Sequence, residues 1–266
     1  MNDDELRDFL DSKAFQYETP AFIDADPISV PHRYTRKEDI EISGFLASTI
    51  AWGNRKAIVK NAHAMMLLLD DAPFEFVSEA IPSDFDRLNT FVYRTFQQDD
   101  LAGMVCGLRE IYAHHGGLEQ VLTPRAGEHI GDAFARFRSL MLPHLSPRTH
   151  KHISSYAAGA ACKRLNMFMR WMVRSPRGGV DFGIWHNISP SQLFLPLDVH
   201  TARVGRLLGL LQRKQNDWRA VEEITARLRI FAPDDPVRYD FALFGLGINE
   251  NLTYRSNCVV KHYITH

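Results

Sequence analysis

The amino-acid sequence predicts an all-α protein. Apolar residues recur at helical spacing through most of the chain, as at Val204, Leu207, Leu208 and Leu211. Strand signals, which are alternating apolar and polar residues between turn residues, are scarce. Of the 266 residues, 45% are apolar and 24% are charged, which is typical of a soluble globular protein.

Helix boundaries follow from capping signals and from breaks in the apolar periodicity. Thr35 and Glu38 have the spacing of a capping box, which opens a helix that ends at the sequence AWGN. Asn54 is expected to cap the next helix. Asp235 followed by Pro236 indicates the start of the last helix. Further helices are predicted over residues 100–114, 127–142, 161–174, 199–213, 217–230 and 236–247.

Several classes of protein are excluded by what the sequence lacks. No run of about 18 apolar residues occurs and the first residues, MNDDELRDF, are polar and acidic, so we expect no signal peptide, no membrane span and a cytoplasmic location. Cys106, Cys162 and Cys258 are odd in number and far apart. They match neither a disulfide framework nor the ligand sets of zinc or iron–sulfur sites. We therefore expect no metal and no cofactor.

Positive charge is concentrated in one segment, although the net charge of the chain is only −1. The 48 residues between Asp132 and Asp181 contain no Asp or Glu, where about six would be expected from the chain's average. The same segment contains nine Lys and Arg residues. A basic segment in an otherwise acidic chain predicts a polyanionic partner, although a chance cluster of charges that point in different directions is the alternative.

The predicted helix over 161–174 has two distinct faces. Its apolar residues fall on one arc, which should face a core: Leu165, Phe168, Met169 and Met172. Its polar residues are spaced three or four apart on the opposite side: Lys163, Asn166, Arg170 and Arg174. Because no acidic residue on this helix could pair with them, phosphates are expected to compensate the charge. A solvated basic face is the alternative.

A turn of small residues, SSYAAGAACK, precedes this helix. Backbone N–H groups at such a turn, with a helix N-terminus behind them, are suited to hold a phosphate. Asp198 precedes another predicted helix, and two roles are open for it. Its carboxylate either only caps the helix, which is worth about 1 kcal/mol, or is a catalytic group that capping holds in place.

Two segments resemble the helix-hairpin-helix DNA glycosylases, the superfamily of endonuclease III and the oxidised-guanine glycosylases. LDVHTARVGRLLGL is similar to their VDTH..RV..RLGL segment, with Asp198, His200 and Arg203 at matching positions. GAACK is similar to their hairpin GxGxK, with Gly159 at the first glycine and Lys163 at the catalytic lysine. The second glycine is replaced by alanine.

The archaeal oxidised-guanine glycosylases are the nearer comparison, because they too have a long connection between the lysine and the aspartate. Over nearly its full length the chain also resembles an uncharacterised bacterial family, on segments such as EISGFLASTIAWGNRK and DPVRYDFALFGLG.

The glycosylase resemblance implies a two-lobed fold with a groove for DNA between the lobes. Residues 37–175 would form one lobe, which ends in the hairpin-like motif, and residues 1–36 with 176–266 would form the other, which carries Asp198. A damaged nucleotide would be flipped out of the duplex into a pocket. Lys163 would attack the sugar and displace the base, with Asp198 assisting. Further strand cleavage, an AP-lyase activity, could follow.

The resemblance and the basic helix together name further site residues. Expected DNA contacts are Gly159, Arg164, Asn166, Arg170, Arg174 and Arg203. Expected base-pocket residues are Trp52, Asn54, Asp181, Trp185 and His200. Two alternatives stay open: a nucleic-acid-binding protein without catalysis on the same fold, and a helical scaffold or enzyme that binds a phosphorylated metabolite. We expect a duplex with a damaged base as partner and favour a monomer.

Overall fold

The computed structural model describes residues 1–248 and residue 250. In this part of the chain no β-strand forms and helices dominate, so the all-α prediction is confirmed. The α-helices are α1 (Asp3–Tyr17), α2 (Lys37–Thr49), α3 (Arg55–Leu68), α4 (Pro73–Glu79), α5 (Phe85–Leu88), α6 (Gln98–His114), α7 (Leu118–Leu122), α8 (Ile130–Met141), α9 (Lys163–Val173), α10 (Val199–Leu207), α11 (Trp218–Phe231) and α12 (Tyr239–Ile248). Short 3₁₀ turns cover Pro20–Ala25, Pro27–Ser29, Pro31–Arg33, Pro82–Asp84, Leu142–His144, Thr149–His152, Pro176–Gly178, Pro190–Gln192 and Pro236–Arg238.

The capping signals predict some helix starts correctly and others wrongly. Asn54 caps α3, as predicted, because its side chain accepts a hydrogen bond from the N–H of Ala57. The capping box at Thr35 is wrong. The residue before α2 is Arg36, which makes no side-chain cap, and Glu38 instead accepts from the guanidinium of Arg36 at 3.1 Å.

Two other boundaries differ from the prediction for local reasons. The helix α10 ends earlier than predicted because Gly209 adopts a φ of +74°, which turns the chain, and the N–H groups of Leu210 and Leu211 both donate to the carbonyl of Gly205. Pro236 does not start an α-helix directly. It opens a 3₁₀ turn, after which α12 begins.

Four helices, α1, α4, α5 and α7, were not predicted from the sequence. In α1 the signal was present, because Asn2 and Glu5 form a reciprocal capping box and acidic residues in a first helical turn interact favourably with the helix dipole. The remaining three have only four to seven residues, too few for a helical repeat to be visible.

The buried apolar side chains form one continuous core. The first helix lies along α12, on which α10 also packs, while α2 packs against α9, α3 and α4. Two glycines lie at such helix contacts, one in α12 and one in α2. A Cβ atom on Gly245 would lie 2.2 Å from the ring of Tyr17, and one on Gly44 would lie 3.1 Å from Met172. The division into lobes at residues 36/37 and 175/176 stays a prediction.

Candidate functional site

A cavity of about 490 Å³ lies where the link between α2 and α3 meets the N-terminal ends of α9 and α10 and one face of α12. This volume is within the range of small-molecule sites. Its aromatic lining residues are Phe22, Trp52, Phe241 and Phe244. Its charged lining residues are Asp26, Arg55, Lys163, Arg164, Arg170, Asp198 and Asp240. The two residues predicted to be catalytic, Lys163 and Asp198, are therefore brought to one cavity.

Asp198 is held in place by the start of α10. Its Oδ1 accepts hydrogen bonds from the backbone N–H groups of His200, at 2.8 Å, and Thr201, at 2.9 Å, and from the Thr201 hydroxyl at 3.0 Å. The other oxygen, Oδ2, has no hydrogen-bond partner in the described part of the chain, and Asp198 is only half-buried. One oxygen thus caps the helix, while the second is available to a ligand.

Lys163 is the first residue of α9 and is also half-buried. Its amine lies 3.4 Å from the sulfur of Met167 and forms no ion pair with any described residue. The chain reaches this position through Cys162, which has a φ of +49°. This left-handed backbone conformation is unusual for a residue other than glycine.

The turn before α9 is fastened to α11. Gly159 has a φ of +75°, its N–H donates to Tyr156 at 2.7 Å and its carbonyl accepts from the N–H of Trp218 at 2.9 Å. The element that precedes this turn is one 3₁₀ turn, Thr149–His152. The structure therefore has a turn before α9 and no α-helix directly in front of that turn, unlike the helix-hairpin-helix motif that the resemblance implies.

Asp240 is a third carboxylate in the cavity and was not predicted from the sequence. It is 6% exposed, and its Oδ2 accepts a hydrogen bond from Arg170. Burial raises the pKa of Asp240 to about 6; Arg170 and Lys163 lower it, and Asp198 raises it further. The signal for this site was one acidic residue within the otherwise apolar α12 sequence YDFALFGLGI.

His200 and Arg203 pack beside the end of α12. His200 lines the cavity, and its Nδ1 is buried without a hydrogen-bond partner among the described residues. The guanidinium of Arg203 donates to the carbonyl of Gly247 at 2.8 Å. This bond satisfies an unpaired carbonyl near a helix C-terminus, so Arg203 has a structural role that the predicted DNA contact did not include.

Of the two residues predicted at the break between α2 and α3, Trp52 lies in the cavity wall and Asn54 does not. Trp52 lines the cavity, with its ring stacked on His152 at 5.4 Å between centroids and the Arg164 guanidinium 5.2 Å from its centroid. Asn54 is absent from the cavity wall and is exposed at the cap of α3. Of the two residues, only Trp52 is placed to contact a molecule in the cavity.

The prediction that the polar face of α9 contacts DNA is wrong for Arg170 and Arg174, which are 3% and 4% exposed. Arg170 pairs with Asp181 and Asp240. Arg174 pairs with Asp181 at 2.6 Å, with Glu18 at 3.0 Å and with Asp235 at 2.9 Å. Carboxylates from other parts of the chain, rather than phosphates, compensate this charge.

Two more expected DNA contacts are also engaged within the protein. Asn166 is 1% exposed and donates to the carbonyl of Ala161 at 3.1 Å. Arg164 donates to the carbonyl of Thr49, and burial lowers the pKa of its guanidinium to about 10. Arg164 thus joins the end of α2 to the start of α9, and only part of its side chain faces the cavity.

Asp181 and Trp185 do not belong to the cavity, which corrects their assignment to a base pocket. The carboxylate of Asp181 is fully buried between Arg170 and Arg174. Trp185 is 2% exposed, and its indole N–H donates to Glu41 at 2.6 Å. Both residues are missing from the cavity because the long connection after α9 folds back against the core.

The described residues contain no group of three or more His, Cys, Asp and Glu side chains that could hold a metal ion. The same part of the chain has no helix with the length and apolar character that a membrane span requires. The arrangement is thus an aromatic-walled cavity with one amine, several guanidinium groups and three carboxylates. Such a site can bind a flat polar ring and can perform nucleophilic or acid–base chemistry.

Comparison with known proteins assigns the family. The model of the family described as "Protein of unknown function (DUF2400)" matches residues 26–249. This match covers most of the chain, so the protein belongs to that family. No curated protein and no solved structure matches the chain.

Proposed function

We propose that the protein is a DNA base-excision glycosylase in which Lys163 is the nucleophile and Asp198 assists it. The observation that carries this proposal is that both side chains line one cavity, although 35 positions separate them in the sequence. The resemblance of their two segments to helix-hairpin-helix glycosylases, noted above, assigns them these roles.

The cavity suits a nucleotide that has left the duplex. Its volume of about 490 Å³ accommodates a nucleoside, since ligand pockets of about 300–1,000 Å³ are usual. Trp52 and Phe244 offer aromatic surface on which a base can stack. Asp240 is only 6% exposed. Arg170 donates to its Oδ2, so Oδ1 can accept a hydrogen bond from a base N–H group.

The chemical step is a substitution at the sugar. A bond forms between the Lys163 nitrogen and C1′ of the deoxyribose, and the bond between C1′ and the base breaks. The base leaves with the electron pair and takes up a proton, and the lysine nitrogen loses one. The bond between C1′ and O4′ then breaks, O4′ takes up a proton, and C1′ forms a Schiff base with the lysine nitrogen; loss of a C2′ proton from this Schiff base expels the 3′ phosphate.

Asp198 can act in this step without moving. Three donors fix its Oδ1, as described above, so Oδ2 has a fixed position at the cavity. A preorganised carboxylate stabilises positive charge that develops on the sugar, and it can accept a proton from the lysine nitrogen.

Reductive trapping tests the proposal. Borohydride converts a Schiff base into a stable secondary amine, so we expect a covalent adduct with duplexes that carry an oxidised purine. Lys163→Gln should abolish the adduct, while Lys214→Gln, which changes an exposed lysine outside the cavity, should retain it. Duplex binding without an adduct for any lesion would favour a binding protein without catalysis, and absence of both would favour a metabolite site.

A further inference from the structure

The amine of Lys163 needs a partner if it is to keep one position in the cavity. A lysine side chain has many conformers and loses much conformational entropy when it is ordered. Lys163 is half-buried, and its amine makes no ion pair with any described residue. Within the described part of the chain, its one hydrogen bond goes to the sulfur of Met167, at 3.4 Å.

Met167 lies one helical turn after Lys163 in α9. Side chains of a helix lean towards its N-terminal end, so the side chain at position i+4 lies over the residue at position i. Met167 is 8% exposed and lines the cavity beside Lys163. The helix and the surrounding packing therefore hold the sulfur next to the amine.

The nearby carboxylates are engaged with other groups. Asp240 accepts from Arg170 through Oδ2, and Asp198 caps α10 through Oδ1. A carboxylate paired with Lys163 would stabilise the ammonium form, which has no lone pair and cannot attack a carbon atom. A thioether is an uncharged, weak acceptor, so Met167 can orient the amine without holding the proton that a nucleophile must lose.

We propose that Met167 is a positioning residue for Lys163: its sulfur accepts one N–H group of the amine and directs the nitrogen lone pair into the cavity. This proposal rests on the proposed function, in which Lys163 is the nucleophile. A neutral amine has two N–H groups and one lone pair. When one N–H group points at the sulfur, rotation about the Cε–Nζ bond is restricted and the lone pair can face C1′. Such alignment before the reaction lowers the entropic cost of attack.

Met167→Leu tests the positioning role, because leucine is apolar and of similar volume but has no acceptor. Adduct formation in a single turnover at saturating duplex should slow by between about 10- and 100-fold, with an unchanged Kd for the duplex. Met167→Gln places an amide oxygen close to the position of the sulfur and should restore most of the rate. The control is Met169→Leu, the same change on the same helix outside the cavity, which should react as the wild type does.

A second readout follows the lysine without any reaction. NMR relaxation of the Lys163 Cε methylene, in protein with isotope-labelled lysine, measures how ordered the side chain is. The signal is assigned by its loss in Lys163→Gln. The order parameter should fall in Met167→Leu and should keep its wild-type value in Met167→Gln and in Met169→Leu.

The outcomes separate the positioning role from the proposed chemistry. A wild-type order parameter in Met167→Leu refutes the positioning role, and so does a slow rate that Met167→Gln does not restore, because packing would then explain the loss. A wild-type rate in Met167→Leu also refutes it, while the glycosylase proposal stands. If the wild type traps no adduct but Lys163 loses order only in Met167→Leu, Met167 positions the amine and the glycosylase proposal alone fails.

Discussion

Asp198 lies where its side chain caps a helix and also faces the cavity, so its position allows both roles that the sequence presents as alternatives. Its Oδ1 accepts from the first N–H groups of α10, while Oδ2 has no partner among the described residues. Capping fixes the carboxylate without using all of it. The structure is therefore compatible with both roles at once, a cap through Oδ1 and a catalytic group through Oδ2.

Asp198→Asn separates these two roles. The amide oxygen of asparagine can still accept from the N–H groups, since Asn is as good a cap as Asp, so the free energy of unfolding should change by less than ~1 kcal/mol. Without the negative charge, single-turnover adduct formation should slow by at least about 100-fold. Thermal unfolding and trapping kinetics measure the two effects. A variant of lower stability and full activity would show that Asp198 is only a cap.

Asp240 predicts a pH dependence of the reaction. Its pKa of about 6 means that the carboxyl is neutral below pH 6 and ionised above it. An ionised carboxylate accepts the hydrogen bond from a base N–H group more strongly than a neutral carboxyl does, so the rate of adduct formation should rise as pH increases through about 6. In Asp240→Asn this inflection should be lost. An unchanged inflection in the variant would assign it to another group.

Stability should change with pH in the opposite direction, which gives a second measurement on the same residue. Because burial raises the pKa of Asp240 from 3.8 to about 6, the folded state retains a proton that the unfolded state has lost between these values. The contribution of Asp240 to the free energy of unfolding therefore falls as pH increases from about 4 to 6. Melting temperatures of the wild type and of Asp240→Asn across this range should show the difference.

At the scale of the element, α9 shows what helical periodicity can and cannot predict. The apolar arc of Leu165, Phe168, Met169 and Met172 faces the core, as predicted. The opposite side is buried too, which periodicity did not indicate, because its acidic partners come from other parts of the chain. Glu18 lies far upstream, and Asp235 and Asp240 lie more than 60 residues downstream. Substitution of Arg170 would therefore report on folding rather than on contact with DNA.

Arg174→Met tests the burial of this network. The substitution keeps the volume but leaves Asp181, which is fully buried, with only Arg170 as its cationic partner. Removing one member of a buried ion pair typically costs 3–5 kcal/mol, so we expect a loss of about that size in chemical denaturation. The control is Arg177→Met, three residues further along and exposed. Equal stability of the two variants would contradict the network.

Helices were predictable where signals between neighbouring residues define them. The cavity and its buried charges were not predictable, because they depend on packing between distant parts of the chain. The cap of α3 at Asn54 depends only on neighbouring residues, so it was predictable. The cavity depends on the meeting of α9, α10 and α12, and only the resemblance indicated that Lys163 and Asp198 belong together. Asp240 was missed because its role depends on Arg170, which is 70 positions away.

At the scale of the whole molecule, the charge pattern is largely neutralised internally. Of the nine cations between Asp132 and Asp181, four pair with carboxylates from outside that segment: Arg136, Arg148, Arg170 and Arg174. Arg138 and Arg164 donate to backbone carbonyls instead. The alternative noted for the sequence, charges that point in different directions, thus describes most of this segment. A basic segment predicts a polyanionic partner only where its charges remain exposed and unpaired.

The packing of α1 on α12 has a consequence for folding during synthesis on the ribosome. The hydroxyl of Tyr17 donates to Glu250, 233 positions further along, and the ring of Tyr17 occupies the space that a side chain at position 245 would need. During synthesis the N-terminal helix leaves the ribosome long before its partner exists. Packing of α1 onto α12 must therefore wait until α12 has been synthesised, and contacts between distant positions form slowly. Until then the apolar side of α1, with Leu6 and Leu10, stays exposed to other chains and to chaperones.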